Sequence, residues 1–328
     1  MFQPETYAIT LFFMLLSMLC WGSWANSLKF CLGYRFQLFY WDYVIGLFAG
    51  VLAWGMTMGS LGSHGLPFLS DILHTDSRHI VLALAGGVIF NLANLLLVAA
   101  IDIAGLAVAF PVGIGLALVI GAVSSYILAP AGNPILLFGG VAIVIVAIIF
   151  DAAAYRAREQ QHGVTRRGVL LSLISGVLMG SFYPFVTRAM MGSRAAGPYA
   201  ASFYFIIGVC LCAFAANTIL MRKPIDGRQP VSFRAYTQAR FAWHLWGIIG
   251  GAIWSTGAIL NFAASRTDIV GPAVSYSIGQ GATMISACWG VFVWHEFSSA
   301  SRRSKVFLIC MFVFFLCGLT AVALAPLF

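Results

Sequence analysis

Long apolar stretches separated by short polar segments run along the whole chain. A helix that crosses the hydrocarbon core of a bilayer needs about 20 predominantly apolar residues. Transmembrane strands would instead alternate apolar and polar residues over about ten positions, which these continuous stretches do not. The pattern therefore predicts an all-α membrane protein with ten membrane-spanning helices. They cover about residues 7–26, 36–60, 79–101, 103–128, 134–152, 168–190, 198–221, 242–264, 269–293 and 305–327.

Basic residues are distributed unevenly between the two sides of these ten helices. One side carries fourteen Lys and Arg residues and the other carries four. Cytoplasmic loops hold the excess in membrane proteins, so both termini are expected to be extracytoplasmic. The residues before the first stretch include Glu5 but no Lys or Arg. Because a cleaved signal peptide begins with basic residues, the first stretch is expected to be a retained span. The larger set is Lys29, Arg35, Arg156, Arg158, Arg166, Arg167, Arg222, Lys223, Arg228, Arg234, Arg240, Arg302, Arg303 and Lys305; the smaller is Arg78, Arg188, Arg194 and Arg266.

The two halves of the chain contain similar segments in the same order. Each half has five apolar stretches, and an odd number makes the second copy enter the membrane from the opposite side. We therefore predict inverted repeats, with a substrate site between them near mid-membrane. The first repeat is 1–152, a cytosolic linker is 153–167 and the second repeat is 168–328, together one transmembrane domain. The matched segments are Gly22-Ser23-Trp24 with Gly180-Ser181-Phe182, residues 86–91 with 250–255, Ala99-Ala100 with Ala263-Ala264, residues 102–108 with 268–274, and Gly113-Ile114-Gly115 with Gly279-Gln280-Gly281.

Composition narrows the function classes. Of the 328 residues, 61% are hydrophobic and 9% are charged, against roughly 25% charged in an ordinary soluble domain. This excludes a soluble enzyme, a nucleic-acid-binding domain and a disordered chain; the net charge of +8 is expected to come from cytoplasmic loops. Seven cysteines, mostly inside apolar stretches, indicate buried hydrophobes. Metal-binding His-Glu-x-x-His and nucleophilic Gly-x-Ser-x-Gly motifs are absent, so no enzyme activity, metal or cofactor is expected.

Three local patterns carry a resemblance to a known family. They are Trp21-Gly22-Ser23-Trp24, Tyr40-Trp41-Asp42-Tyr43, and the series from Gly86-Gly87 through Asn91, Asn94-Leu95, Ala99-Ala100 and Gly105-Leu106 to Val108. With the ten spans and the inverted repeats, they resemble the drug/metabolite transporter superfamily, which has the EamA-like fold. Within it, they are similar to the branch of the ureide permeases, the glucose/ribose porters and the rhamnose–proton symporter.

The resemblance implies a secondary active transporter in the inner or plasma membrane. Such a permease would move a small polar metabolite, such as a ureide, a nucleobase or a sugar, by alternating access, with protons or another cation as the coupling ion. A multidrug or metabolite exporter of the same superfamily is the alternative, and a channel is a further one. The sequence leaves a homodimer open.

Asp42 is our candidate for proton coupling. We interpret it as the only acidic residue well inside an apolar stretch, where a carboxylate is costly unless it is paired, protonated or hydrated. The alternative is an interfacial anchor, because Asp42 lies about two turns from Arg35 near the predicted cytoplasmic end.

Polar and aromatic residues at similar depth are the candidate solute ligands. Amides can both donate and accept hydrogen bonds, which suits a sugar hydroxyl or a ureide, and indole rings can stack on a planar solute. Hydrogen bonds between helices and an aromatic belt at the membrane interface are the alternatives. The candidates are Trp21, Trp24, Asn91, Asn94, Trp254, Asn261, Tyr276 and Gln280.

Three further acidic residues are candidates for gates or helix caps. Asp102 and Asp268 fall at equivalent repeat positions in predicted turns, where Asp favours the N-cap of the next helix. Glu296 could pair with Arg302 or Arg303 as a gate latch; an ordinary solvated loop is the alternative.

Overall fold

The computed structural model describes residues 1–104, 106–158, 165–225 and 228–328, and within these ranges the chain is helical with no β-strand. Several helices begin where a hydroxyl caps them: the side chains of Thr6 and Thr165 accept hydrogen bonds from the third backbone amide of α1 and α8. The helices are α1 (Tyr7–Ser23), α2 (Asn26–Lys29), α3 (Phe36–Met56), α4 (Phe68–His74), α5 (Ser77–Ala104), α6 (Leu106–Leu128), α7 (Pro134–Arg158), α8 (Arg166–Ala189), α9 (Pro198–Arg222), α10 (Phe233–Thr237), α11 (Phe241–Ser265), α12 (Gly271–Gly279), α13 (Ala282–Cys288) and α14 (Arg302–Leu324).

Nine helical segments in the described part of the chain are long and apolar enough to cross a membrane. They coincide with nine of the ten predicted stretches to within a few residues at most ends, and the chain is a multi-pass integral membrane protein. The helix α7 extends to Arg158 and therefore takes in the first part of the predicted linker 153–167. Residues 159–164 of that linker lie outside the described residues.

The predicted span 269–293 is not one continuous helix, which corrects the sequence analysis. Its chain forms α12, a break at Gln280 and Gly281, α13, and then a π-helix over Trp289–Val293. Glycine on both sides of Gln280 lets α1 approach closely. A Cβ atom at Gly279 would lie 2.6 Å from the Trp21 ring, and one at Gly281 would lie 2.5 Å from the sulfur of Met18.

The packing of the helices is compatible with two inverted repeats. Helix α5 packs along α8 and α9, while the repeat-equivalent helix α11 packs along α1 and α3. Likewise α6 packs on α8, and the broken helix α12–α13 packs on α1. Two of the short helices, α4 and α10, also occupy matching connections, since α4 precedes α5 and α10 precedes α11.

Two apolar cores hold the bundle together, and each draws on both halves of the chain. Phe39, Phe205 and Phe262 are fully buried in the first core, whereas Met14 and Phe315 are fully buried in the second. Lipid is as apolar as these side chains, so close packing between helices supplies the stability. Residues of both halves therefore pack together in each core.

The alternation of helix directions places the fourteen basic residues of the larger set at one end of the bundle. We call this the basic end. There α2, α7 and α9 finish and α3, α8, α11 and α14 begin. The two termini, α4 and the connection between α11 and α12 lie at the opposite end.

Candidate functional site

A cavity of about 310 Å³ lies in the centre of the bundle. This volume is near the lower limit of small-molecule sites, which measure roughly 300–1,000 Å³. Helices α1, α11 and the broken helix α12–α13 form one side of its wall and α5, α6 and α8 the other, and α2 and α3 contribute Leu28 and Phe36. The lining residues include Trp21, Trp24, Phe90, Asn94, Ile114, Met179, Phe182, Trp254, Gln280, Thr283 and Ser286.

Five of the eight predicted solute ligands line this cavity. They are Trp21, Trp24, Asn94, Trp254 and Gln280. Gln280 sits at the break between α12 and α13, where the chain does not continue as a regular helix. Discontinuous helices build the substrate sites of many transporters in this way.

Repeat-equivalent residues face each other across the cavity. In the register of the sequence repeat, four pairs of equivalent positions both contribute to the wall. The rings of one pair, Phe90 and Trp254, are in contact, with centroids 4.5 Å apart. The cavity therefore lies where the two halves meet. The pairs are Trp21 with Met179, Trp24 with Phe182, Phe90 with Trp254, and Ile114 with Gln280.

The wall combines aromatic faces with uncharged polar groups. Trp21 and Trp254 stack with centroids 5.8 Å apart, and Asn94, Gln280, Thr283 and Ser286 supply amides and hydroxyls. None of the lining residues in the part of the chain that the structure describes is charged. Such a wall can stack on a planar or ring-shaped solute and hydrogen-bond it, but it offers no counter-ion to a charged one.

The other three predicted ligands lie behind this wall and bond to protein groups. The Tyr40 hydroxyl donates to Asn91 Oδ1 at 2.7 Å. Asn261 Nδ2 donates to the carbonyl oxygen of Ser275 at 3.0 Å, and the Tyr276 hydroxyl donates to the carbonyl oxygen of Ala117 at 3.1 Å. The structure places Asn91, Asn261 and Tyr276 beside the cavity without bringing them to its surface.

A hydrogen-bonded seam closes the cavity toward the end opposite the basic end. The Tyr183 hydroxyl of α8 donates to Asn261 Oδ1 of α11 at 2.5 Å, and both residues have no exposed surface. The ring of Tyr276, from α12, packs 4.8 Å from that of Tyr183. We call Tyr183, Asn261 and Tyr276 the seam. It joins the two sides of the cavity, because α8 belongs to one side and α11 and α12 to the other.

A second cavity lies next to the central one, on the side of the basic end. It has a volume of about 380 Å³ and shares Leu28, Phe36 and Val98 with the wall of the central cavity. Tyr34 and Arg228 also line it. Because these two residues lie in connections between spans, we call this cavity the vestibule. The vestibule therefore lies between the basic end and the central cavity.

Asp42 does not line either cavity but forms a buried polar cluster next to the vestibule. Its side chain is 1% exposed. Asp42 Oδ2 accepts from the Tyr34 hydroxyl at 2.9 Å and Oδ1 from the Tyr236 hydroxyl at 2.6 Å. His244 Nδ1 lies 2.9 and 3.0 Å from the two oxygens.

Glu296 pairs with partners other than the predicted Arg302 and Arg303, which corrects the sequence analysis. Its carboxylate lies 2.5 Å from Lys29 Nζ and 2.9 Å from an Arg158 nitrogen. Burial alone would raise the pKa of Glu296, but the hydrogen bonds and charges of Lys29 and Arg158 outweigh it and hold the pKa below its ordinary value. The residue therefore ties the end of the broken helix to α2 and α7.

The two predicted caps are not seen in the described part of the chain. Asp268 is exposed in the turn after α11, and α12 begins at Val270 without a capping side chain. Asp102 falls within α5, which continues to Ala104 instead of ending in the predicted turn. The side chain of Asp102 lies outside what the structure describes.

The sequence analysis missed four residues of these clusters and a second buried acid. Tyr183 immediately follows the repeat segment Gly180-Ser181-Phe182, so the repeat could have indicated it. Tyr34, Tyr236 and His244 lie near span ends, and no local pattern connects them to Asp42. Asp151 is 4% exposed in α7, so Asp42 is not the only acidic residue buried within a span.

Comparisons with known proteins identify the family of this chain. A family model described as "Sugar transport protein" matches residues 51–325. Among curated proteins, the chain is similar to ureide permease 2 of Arabidopsis thaliana, at 23% identity over 92% of this chain and 93% of the relative. It is also similar to ureide permease 1 of the same plant, at 22% identity over 96% of both chains. These relatives are permeases, not enzymes, and they confirm the resemblance drawn from short motifs.

A solved structure described as "Crystal structure of protein" shares the fold. It matches with a TM-score of 0.61 and covers 94% of this chain and 96% of its own, at 16% sequence identity. The likeness therefore extends over nearly the whole bundle.

Proposed function

The chain belongs to the sugar transport protein family, and on that premise we propose that this transporter of small polar solutes is a permease for an uncharged solute in the inner or plasma membrane. The central cavity carries the proposal. Its aromatic walls and its amide and hydroxyl groups suit a sugar, which the family description names, a ureide, which the relatives' names give, or a nucleobase.

The absence of charge on the described wall argues for an uncharged solute. A charged solute would lose its hydration on entering an apolar, enclosed site, and it would need an opposite charge there. Trp21, Trp24 and Trp254 would stack on the solute, and Asn94 and Gln280 would hydrogen-bond it. Asn91, Asn261 and Tyr276 would act from behind the wall by holding these side chains and the seam in place.

Alternating access is the proposed route across the membrane. The seam lies between the central cavity and the end opposite the basic end, and the vestibule lies between the cavity and the basic end; we propose that the seam is the closed gate and the vestibule the open path. In the alternative state the seam would open and the vestibule would close. The repeat-equivalent pairs on the two sides of the cavity support such an exchange, because similar halves can adopt each other's conformations.

Proton coupling is proposed to use Asp42. A buried carboxylate in a membrane protein marks an ion or proton pathway by default, and Asp42 lies beside the vestibule that would connect it with water. On the basis of the positive-inside rule we propose that the basic end is cytoplasmic, in which case the structure would correspond to an inward-open state.

Purified protein in liposomes tests the proposed function. Liposomes are loaded with one unlabelled solute, and entry of the labelled solute is followed for a panel of neutral sugars, allantoin and uracil, beside charged amines. We expect saturable counterflow for at least one neutral solute, with competition confined to its analogues. Broad inhibition by lipophilic cations would identify an exporter instead, and a flux that does not saturate would identify a channel.

A further inference from the structure

Every described contact to the carboxylate of Asp42 can come from a hydrogen-bond donor. Tyr34 and Tyr236 each donate a hydroxyl proton, and His244 Nδ1 lies within 3.0 Å of both oxygens. An ionised carboxylate can only accept hydrogen bonds, whereas a protonated one also carries a hydroxyl group that donates. The cluster is therefore arranged around the charged form of Asp42, with the carboxylate shared between three donors.

The titratable groups that face Asp42 come from three elements of the described chain. Tyr34 and Cys31 lie in the connection between α2 and α3, Tyr236 lies in α10 and His244 in α11. Burial and the neighbouring Asp42 raise the pKa of both tyrosine hydroxyls far above their ordinary value. The same causes raise the pKa of the Cys31 thiol to about 11. These three groups therefore keep their protons near neutral pH.

Close packing holds Asp42 and His244 together. A Cβ atom at Gly247, one turn after His244, would lie 2.4 Å from Asp42 Cβ, and one at Gly251 would lie 2.0 Å from the carbonyl oxygen of Tyr43. Helices that approach so closely cannot slide past each other without losing this contact. Tyr34 and Tyr236 belong instead to the connections at the basic end, which can move while α3 and α11 stay packed.

We propose that Asp42 and His244 together form the proton-binding site of the transporter, and that Tyr34 and Tyr236 transmit its protonation state to the vestibule. This inference rests on the proposed transport function and assigns its coupling step to a pair of residues from both halves of the chain.

The consequence of protonation follows from the donor count. One proton from the vestibule converts the carboxylate into a carboxylic acid, whose new hydroxyl group needs an acceptor of its own. At least one of the three donors must then turn away. Tyr34 lines the vestibule, so loss of its bond to Asp42 would change the vestibule wall directly. Loss of the Tyr236 bond would release α10.

Two variants and two matched controls test the pair. His244→Gln removes the imidazole, and Tyr236→Phe removes one hydroxyl and leaves the ring. His74→Gln and Tyr126→Phe make the same changes outside the cluster, where His74 is exposed on α4 and Tyr126 packs on Phe138. Each protein is placed in liposomes, and proton entry per solute is measured with a pH-sensitive dye, together with the pH profile of gradient-driven uptake.

Loss of a donor destabilises the ionised carboxylate, so protonation should occur at higher pH. We expect the midpoint of uptake to move up by about one pH unit in Tyr236→Phe. In His244→Gln we expect the proton-to-solute ratio to fall at least severalfold, while both controls match the wild type. If His244→Gln does not fold, Tyr236→Phe carries the test alone. A wild-type ratio and pH midpoint in the folded cluster variants would overturn the proposal.

Counterflow at equal pH distinguishes failure of this proposal from failure of the proposed transport function on which it rests. Absence of counterflow for every solute in the wild-type protein would remove the proposed permease itself. Solute counterflow in the wild type, together with unchanged coupling in the cluster variants, would remove only the proton-binding pair.

Discussion

Replacement of Tyr183 by Phe should open the end of the cavity opposite the basic end. The change deletes the hydroxyl that donates to Asn261 Oδ1 at 2.5 Å and leaves the packed ring in place. Asn261 has no exposed surface, so water cannot replace the lost donor while the seam is closed. When the seam opens, water can reach the amide. The closed state is therefore destabilised relative to the open one.

The structure bounds the size of this effect. An unsatisfied buried acceptor costs about 1–3 kcal/mol, which corresponds to a 5- to 150-fold change in an equilibrium. Hydrogen bonds between membrane helices average only about 0.6 kcal/mol, which argues for the lower part of that range. We expect a three- to fivefold increase in the open population, as a rough estimate. Tyr276→Phe should have a smaller effect, because its hydroxyl bonds only to backbone carbonyl oxygens that helical bonds already serve.

Labelling of a single cysteine measures the population. In a variant without its native cysteines, Ala282→Cys places one thiol on the cavity wall. A maleimide that cannot cross the membrane is applied from either side, and the rate of modification is followed. Tyr183→Phe should raise the rate from the end opposite the basic end about three- to fivefold and lower the rate from the basic end slightly.

A matched control makes the result interpretable. The Tyr7 hydroxyl donates to the carbonyl oxygen of Ala323 and joins α1 to α14 away from the seam. Tyr7→Phe therefore loses an interhelical bond of the same kind without touching the gate. Equal labelling rates in Tyr183→Phe and Tyr7→Phe would refute the assignment of Tyr183 to a gate.

Three further changes address the solute site, the coupling residue and the basic end. Gln280→Ala should raise the half-saturating solute concentration about five- to tenfold without lowering expression. Gln229 is exposed near α10, so Gln229→Ala should leave the half-saturating concentration unchanged. A wild-type half-saturating concentration in Gln280→Ala would place the site elsewhere. Asp42→Asn should abolish accumulation driven by a pH gradient and leave part of the counterflow, and unchanged accumulation would exclude Asp42 from coupling. Because the pKa of Glu296 is lowered, its ion pairs stabilise the fold above the ordinary carboxyl pKa, and this contribution is lost as pH falls through the lowered value. Glu296→Gln should remove that acid sensitivity from the melting temperature of the detergent-solubilised protein; the effect should stay below about 1 kcal/mol because Lys29 is 43% exposed. A wild-type melting profile across that pH range would exclude the pairing.

Much of the fold was predictable from the sequence because lipid imposes a simple rule. A span must hide its backbone polar groups in a helix, so apolar length locates helices without knowledge of their neighbours. The exception is the span around Gln280. Glycine lies on both sides of Gln280, but glycines alone do not determine a break. The fit of these two against Trp21 and Met18 of another helix is a tertiary contact that the sequence pattern does not specify.

The candidate site was predictable only in part, for a related reason. Depth along a span could be read from the sequence, and depth selected Trp21, Trp254 and Gln280 correctly as wall residues. The direction in which a side chain points around its helix could not be read from the sequence, because the spans are apolar on nearly all sides. Asn261 therefore appeared equivalent to Gln280, although it bonds to Tyr183 behind the wall.

The seam also makes the two ends of the transporter unequal. In the repeat register, Tyr183 corresponds to Ala25 and Asn261 to Leu97, so the equivalent contact at the basic end would join two apolar side chains. If the halves exchange conformations, the seam at one end loses a buried hydrogen bond, and the contact at the other end forms none in return. Without solute, the state open to the basic end is then favoured. The free-energy difference between the two states must then come from solute binding or from a proton on Asp42. A coupling ion therefore has a role even though the two halves are built alike.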